Sequence, residues 1–125
     1  MSAELKRDLS PADAAGVPWI GVDFDGTLST YDGWKGELYV GYPVPRMMSR
    51  IVEWLASGTV KVKIFTARAD RADQVLLVQD WLEAHGLPRL EVTNIKDRFM
   101  VELWDDRAVA VEKNTGRAFS WQDIR

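Results

Sequence analysis

The chain has 125 residues, of which 46% are hydrophobic and 28% are charged, a composition typical of a soluble globular domain. This length allows one domain with a single core and leaves little room for a second. Sixteen basic against nineteen acidic residues give a net charge of −3, so the chain lacks the overall positive charge typical of nucleic-acid-binding proteins. It contains no cysteine, which excludes disulfides, thiolate metal sites and a cysteine nucleophile.

Residues 1–16 are polar and rich in alanine, and we expect them to form a loosely ordered N-terminal arm. They contain no apolar run of signal-peptide length, and no segment of the chain is long and apolar enough to span a bilayer. The absence of cysteine fits a reducing compartment. We therefore expect a cytoplasmic protein without a membrane partner.

The first predicted strand, Trp19–Asp23, leads directly into a second acid, Asp25, and then into Gly26, which allows a sharp turn. Because open α/β sheets bind ligands at the carboxyl ends of their strands, both acids are expected to project into one site. Carboxylates this close repel each other unless a cation or a proton intervenes. The pattern predicts a divalent-metal site with one acid free to attack an electrophile. The alternative is that the two acids cap a loop and stay solvated.

Residues 28–44 combine glycine and proline with several aromatic side chains, and they predict a short β-rich flap next to this site. Trp34 lies in the middle of the flap. Its indole either stacks on a ring of the substrate or packs the flap onto the body of the domain.

Helices and strands alternate after the flap. The predicted elements are a helix from Pro45 to the stop residue Gly58, a strand over Val60–Phe65, a helix over Arg71–His85, and strands over Leu90–Ile95 and Met100–Trp104. Apolar residues recur at helical spacing in both helices and are expected to face the core: Met47, Met48, Ile51, Val52, Leu55, Val75, Leu76, Val78 and Leu82.

Near the C-terminus, Val109–Val111 and Ala118–Ser120 flank a turn sequence and predict two small strands. Strands that alternate with helices indicate a mostly parallel sheet with helices on its faces. The predicted fold is therefore a Rossmann-like, three-layer α/β domain.

Each predicted parallel strand ends at a polar residue suited to phosphate chemistry: Asp23, Thr66, Lys96 and the pair Asp105–Asp106. With the motif Asp23-Phe24-Asp25-Gly26-Thr27-Leu28, this order of acid pair, hydroxyl, lysine and acid pair resembles the haloacid dehalogenase (HAD) superfamily. Most members of that superfamily are magnesium-dependent phosphatases. The resemblance extends over about residues 19–111.

One spacing departs from the superfamily pattern. The segment from Lys96 to Asp105 is shorter than the dozen or more residues that a parallel crossover usually takes. Either residues 97–99 form a single turn, or the third strand ends before Ile95.

The resemblance implies a role for each of these residues. Asp23 gives one oxygen to Mg²⁺ and attacks phosphorus with the other, forming an aspartyl-phosphate. Asp25 protonates the leaving oxygen, activates the hydrolytic water, and binds Mg²⁺ through its main-chain carbonyl. Asp105 is the expected direct metal ligand, and Asp106 either ligates as well or orients metal-bound water.

The remaining assignments concern the phosphate and the rest of the substrate. The Thr66 hydroxyl, with its backbone N–H, and the Lys96 ammonium are expected to hold the phosphoryl oxygens. Phosphate binding as a whole is assigned to Asp23, Gly26, Thr66, Ala67 and Lys96. Arg68 either contacts the substrate or pairs with a nearby acid.

Superfamily members commonly insert a cap domain, but neither the flap nor the segment from Arg68 to Leu90 is long enough for one. We therefore expect a capless, HAD-like catalytic domain over residues 17–125. The expected function is magnesium-dependent hydrolysis of a phosphomonoester, either a phosphorylated small molecule or a nucleotide end. The alternatives are a nucleotide or nucleic-acid 3′-phosphatase and a non-catalytic module that binds metal or phosphate and regulates a partner. The oligomeric state is left open.

Overall fold

A computed structural model describes the protein over residues 16–119, so nearly all of the predicted arm lies outside the described residues. The strands are β1 (Trp19–Val22), β2 (Lys61–Phe65), β3 (Val92–Thr93) and β4 (Met100–Trp104). The helices are α1 (Pro45–Ser57), α2 (Ala72–Ala84) and a short 3-10 helix, Ala67–Asp70. All four strands are parallel, in the order β3-β2-β1-β4, which confirms the predicted α/β class. Within residues 16–119, no helix combines the length and the apolar character needed to cross a bilayer.

The described domain has two layers, where three were predicted. Alternate residues of the central strands, Ile20 and Val22 in β1, pack in the same core as side chains from both helices. The shared core contains Val62, Ile64, Met47, Ile51, Val78, Trp81 and Leu82. Because side chains that alternate along a strand point to one face, both helices cover the same face of the sheet.

The two-layer arrangement follows from the order of the strands. The chain steps from β1 to β2 to β3 in one direction, and right-handed crossovers therefore place both helices on one side. The return from β3 to β4 takes only residues 94–99, which form no helix. The second helical layer that we predicted is therefore missing from residues 16–119.

Both helices begin and end close to the predicted positions, but the buried stripe on each is narrower than the apolar pattern. Pro45 opens α1, and Gly58 caps it in the left-handed region with φ 68°. Val52 and Leu76, which were expected to face the core, are each 54% exposed. A helix that packs on a single sheet buries only the residues directly facing the sheet.

The flap lacks the regular strands that its composition predicted. Within residues 28–44, the pairing consists of an isolated antiparallel bridge between Ser29 and Pro43. Side chains fix the flap instead: the Gly41 N–H donates to Ser29 Oγ (2.8 Å), and Trp81 Nε1 donates to the Gly41 carbonyl (2.9 Å). A Cβ at position 41 would collide with the carbonyl oxygen of Thr30, so the flap requires glycine there.

The predicted C-terminal strands are reduced to one antiparallel bridge between Val111 and Ala118. The turn between them is present, with φ 70° at Asn114 and φ 76° at Gly116. Ser120, at the end of the second predicted strand, lies outside the described residues.

Candidate active site

The loop after β1 presents both motif acids at the carboxyl edge of the sheet. Between them, Phe24 is fully buried and packs edge-on against Trp81, with ring centroids 5.0 Å apart. The Phe24 carbonyl accepts hydrogen bonds from three following N–H groups at 2.9–3.2 Å, which closes a tight turn. Asp23 and Asp25 flank this anchor, and both line a cavity of about 560 Å³.

Three carboxylates converge at this edge. One oxygen each from Asp23, Asp105 and Asp106 lies within 4.8 Å of the others. The Asp23 N–H donates to the Trp104 carbonyl at 2.9 Å, which fixes the loop against β4. A donor set made only of carboxylate oxygens fits a hard divalent cation such as Mg²⁺. The structure thus brings together three of the four predicted metal-binding residues, while the side chain of Asp25 lies outside the cluster.

Thr27, to which sequence reasoning assigned no role, connects two of these carboxylates. Its Oγ1 lies 3.1 Å from an oxygen of Asp23 and 3.1 Å from an oxygen of Asp106, and it can donate its single hydrogen to either. The same Oγ1 accepts a hydrogen bond from the Asp106 N–H at 3.0 Å. In the sequence, the position of Thr27 inside the acid-rich motif was the signal that could have indicated this role.

Gly26 is required where the loop passes Asp106. Its φ is +91°, and a Cβ there would lie 2.7 Å from Asp106 Oδ2. We expect Gly26→Ala to displace this carboxylate and weaken Mg²⁺ binding at least about tenfold, as measured by calorimetric titration. Gly86→Ala is the matched control, because Gly86 has φ +86° and no non-neighbouring residue of the described range 16–119 lies within 4 Å of the added Cβ. Equal Mg²⁺ affinity in the two variants would contradict the role of this close approach.

The carboxylate cluster disfavours the ionised form of Asp23. Burial, then the negative charge of Asp105 and a hydrogen bond with Asp106, raise the pKa of Asp23 to about 7, and the Thr27 hydroxyl opposes the shift. The metal-binding form is the deprotonated carboxylate.

This pKa shift predicts a pH-dependent response to metal. In the unfolded chain an aspartate has a pKa of about 3.9. The higher pKa of Asp23 in the folded protein therefore contributes stability to the metal-free fold. This contribution is fully present below about pH 3.9 and is lost as the pH rises through about 7. Mg²⁺ should therefore raise the midpoint of thermal unfolding more at pH 8 than at pH 6. In Asp23→Asn the difference between the two pH values should shrink. An equal effect of Mg²⁺ at both pH values in the wild type would contradict the prediction.

Arg68 binds Asp25 and leaves no donor for a substrate. Its Nε and Nη2 donate to the two carboxylate oxygens of Asp25 at 2.8 and 3.0 Å. The other N–H groups donate to Gln74 Oε1 (2.8 Å) and to the carbonyls of Glu37 (2.7 Å) and Tyr39 (2.9 Å). These bonds use all five donors of a guanidinium, and the side chain is 10% exposed. Of the two predicted roles, the structure shows the ion pair.

Thr66 lies where a phosphate-binding hydroxyl was predicted. It is buried at the end of β2 and lines the cavity together with Ala67. Its Oγ1 accepts a hydrogen bond from the Arg68 N–H at 3.2 Å, so its own O–H hydrogen can still be donated to a ligand. The Thr66 backbone N–H, also predicted to bind phosphate, is already bonded to the Thr93 carbonyl at 2.9 Å.

Lys96 does not line the cavity. Strand β3 ends at Thr93, earlier than predicted, so Asn94 occupies the strand-end position and lines the cavity instead. The chain then returns to the amino end of β4, where Asp97 Oδ1 accepts a hydrogen bond from Trp19 Nε1 at 2.8 Å. Trp19 begins β1, so this contact lies at the opposite end of the strands from the carboxyl edge. The exposed Lys96 directly precedes Asp97 and therefore lies away from the carboxyl edge as well.

Two aromatic side chains of the flap, Tyr31 and Trp34, border the cavity. Trp34 is 67% exposed, which argues against a packing role, and it also borders a second cavity of about 290 Å³. Arg107 lines the main cavity as well. Arg107 was not among the predicted site residues, although its position directly after the second acid pair was a usable signal.

Comparison with known proteins identifies no relative of this chain. No protein-family model matches it, and neither a curated protein nor a solved structure gives a significant match. The function is therefore inferred from the arrangement of the side chains in the cavity.

Proposed function

We propose that this protein is a capless, HAD-like phosphatase that hydrolyses phosphomonoesters with the help of Mg²⁺. The observation that carries the proposal is the convergence of Asp23, Asp105 and Asp106 within 4.8 Å. Asp25 and the Thr66 hydroxyl border the same cavity. The parallel α/β sheet supports the proposal, because a site at the carboxyl ends of its strands is the usual position in such folds.

Asp23 is the proposed nucleophile. Its carboxylate oxygen attacks phosphorus, the bond from phosphorus to the leaving oxygen breaks, and an aspartyl-phosphate forms on Asp23. A bound Mg²⁺ would be held by the three clustered carboxylates and would neutralise charge on the phosphoryl oxygens. The Thr66 O–H donates to one of those oxygens.

Asp25 is the proposed general acid and base. It gives a proton to the leaving oxygen and later takes one from the water that hydrolyses the aspartyl-phosphate. Both oxygens of Asp25 now accept hydrogen bonds from Arg68. Asp25 must therefore exchange one of these contacts for the substrate before it can transfer a proton.

The exposed aromatic rings favour a second, more specific candidate, a phosphatase acting on nucleotides. Trp34 and Tyr31 present ring surface at the cavity, and stacking on aromatic side chains is a common way to hold a base. The net charge of −3 gives no support for binding a long nucleic acid. A phosphorylated small molecule or a nucleotide end in the cytoplasm is the proposed substrate class.

A phosphatase assay with and without metal tests the proposal. We expect hydrolysis of p-nitrophenyl phosphate and of nucleoside 3′- or 5′-monophosphates in Mg²⁺, and loss of activity in EDTA. Activity that is unaffected by EDTA would contradict the metal mechanism. No turnover of any phosphomonoester, with normal Mg²⁺ binding, would favour the non-catalytic binding module.

A further inference from the structure

A phosphomonoester that enters this cavity approaches three carboxylate side chains, one of which, Asp25, is paired with Arg68. Asp23, Asp25 and Asp105 all line the cavity, and a phosphate dianion is repelled by them unless positive charge is supplied. A divalent cation offsets part of this repulsion. The side chain expected to supply the rest, Lys96, does not line the cavity.

Two other cationic side chains near the sheet, Arg68 and Lys63, already have bonding partners. All five N–H groups of the Arg68 guanidinium donate hydrogen bonds, to Asp25, to Gln74 and to the main-chain carbonyls of the flap. Lys63 lies over the ring of Trp19, 4.5 Å from its centroid, and pairs with Glu91 at 3.3 Å. Neither can bind a ligand without giving up these contacts.

We infer that Arg107 is the cation that binds the phosphoryl oxygens of the substrate. It is the second cationic side chain, after Arg68, among the described residues that line the cavity. Its side chain is exposed, and its backbone N–H donates to Asp105 Oδ1 at 2.8 Å, which fixes its position beside the carboxylate cluster. The inference rests on the proposed function, because it takes the ligand to be a phosphomonoester.

The guanidinium of Arg107 remains available for this role. Within residues 16–119 it has no hydrogen-bond or ion-pair partner, although three carboxylates line the same cavity. Its planar array of donors matches two oxygens of a phosphate at once, whereas a lysine offers a single point charge. The substrate class that fits is therefore an anionic phosphate ester whose phosphoryl group lies between Arg107 and the Thr66 hydroxyl.

Binding of inorganic phosphate tests the inference without relying on turnover. In saturating Mg²⁺, calorimetric titration should show about a tenfold to hundredfold loss of phosphate affinity in Arg107→Ala. Arg107→Lys should lie between this variant and the wild type. Lys96→Ala tests the competing assignment and should bind phosphate as the wild type does. Lys113→Ala, in the exposed C-terminal turn, controls for the loss of one positive charge.

The outcomes separate this inference from the proposed function. Unchanged phosphate affinity in Arg107→Ala, or an equal loss in Lys96→Ala, would overturn the role of Arg107 and leave the hydrolase proposal standing. Absence of turnover in the wild type would contradict the hydrolase, whereas the change in phosphate affinity caused by Arg107→Ala is measured without turnover. Thermal unfolding of each variant checks the fold, and Arg107→Lys keeps the inference testable if Arg107→Ala does not fold.

Discussion

Replacing Asp23 with asparagine is expected to lower kcat for p-nitrophenyl phosphate by at least about a thousandfold. Asparagine keeps the shape of the side chain, but its amide is not a nucleophile and cannot form an aspartyl-phosphate. The fold should survive, because the substitution removes a charge that Asp105 and Asp106 repel. The midpoint of thermal unfolding without metal, measured at pH 8, is therefore expected to stay level or rise.

A second variant distinguishes a lost nucleophile from a lost metal ligand. Asp105→Asn removes one carboxylate of the cluster, and it should weaken Mg²⁺ binding while keeping Asp23 intact. High Mg²⁺ concentrations should restore much of the activity of Asp105→Asn and none of the activity of Asp23→Asn. Recovery of wild-type turnover by Asp23→Asn at high Mg²⁺ would exclude the covalent mechanism.

Replacing Arg68 with methionine is expected to destabilise the protein by roughly 3 kcal/mol and to lower kcat. Methionine keeps the length and apolar contacts of the side chain but removes the hydrogen bonds to Asp25, Gln74 and the flap. A partly buried carboxylate and two carbonyl groups then lose their donors. Urea denaturation measures the free energy of unfolding, and the phosphatase assay measures kcat.

Arg71 provides the matched control for this variant. It lies three residues away and pairs with Glu37 and Asp73 at 2.8 and 2.6 Å, but its side chain is 48% exposed. Water screens ion pairs this exposed, and they contribute little to stability, so Arg71→Met should leave both stability and kcat nearly unchanged. Equal effects of the two substitutions would contradict the structural role assigned to Arg68.

The parts of the site that could be predicted from sequence are those set by local pattern. Asp23, Thr66 and Asp105 follow apolar runs, and the carboxyl ends of parallel strands necessarily lie along one edge of the sheet. Their approximate placement therefore needed only the strand positions. The same holds for the ends of α1, because Pro45 and Gly58 act on the backbone next to them.

The parts that could not be predicted depend on contacts between distant segments. Lys96 is displaced because β3 ends at Thr93, and the length of β3 is set by its pairing with β2. The partners of Arg68 include backbone carbonyls 29 and 31 residues earlier in the chain, which periodicity cannot reveal. Helical spacing likewise gives the direction of an apolar face but not how much of it is buried. The buried width depends on how the helix packs on the sheet, and Leu76 lies outside it, 54% exposed.

The bonds from Arg68 to the flap have a consequence for how this protein can be altered. They end on the main-chain carbonyls of Glu37 and Tyr39, which every amino acid carries, and they make no demand on the side chains at those positions. Residues 37 and 39 can therefore be randomised in a library to seek new substrate preferences while the support for Asp25 is retained. Position 41 must be held constant, because only glycine fits against Thr30.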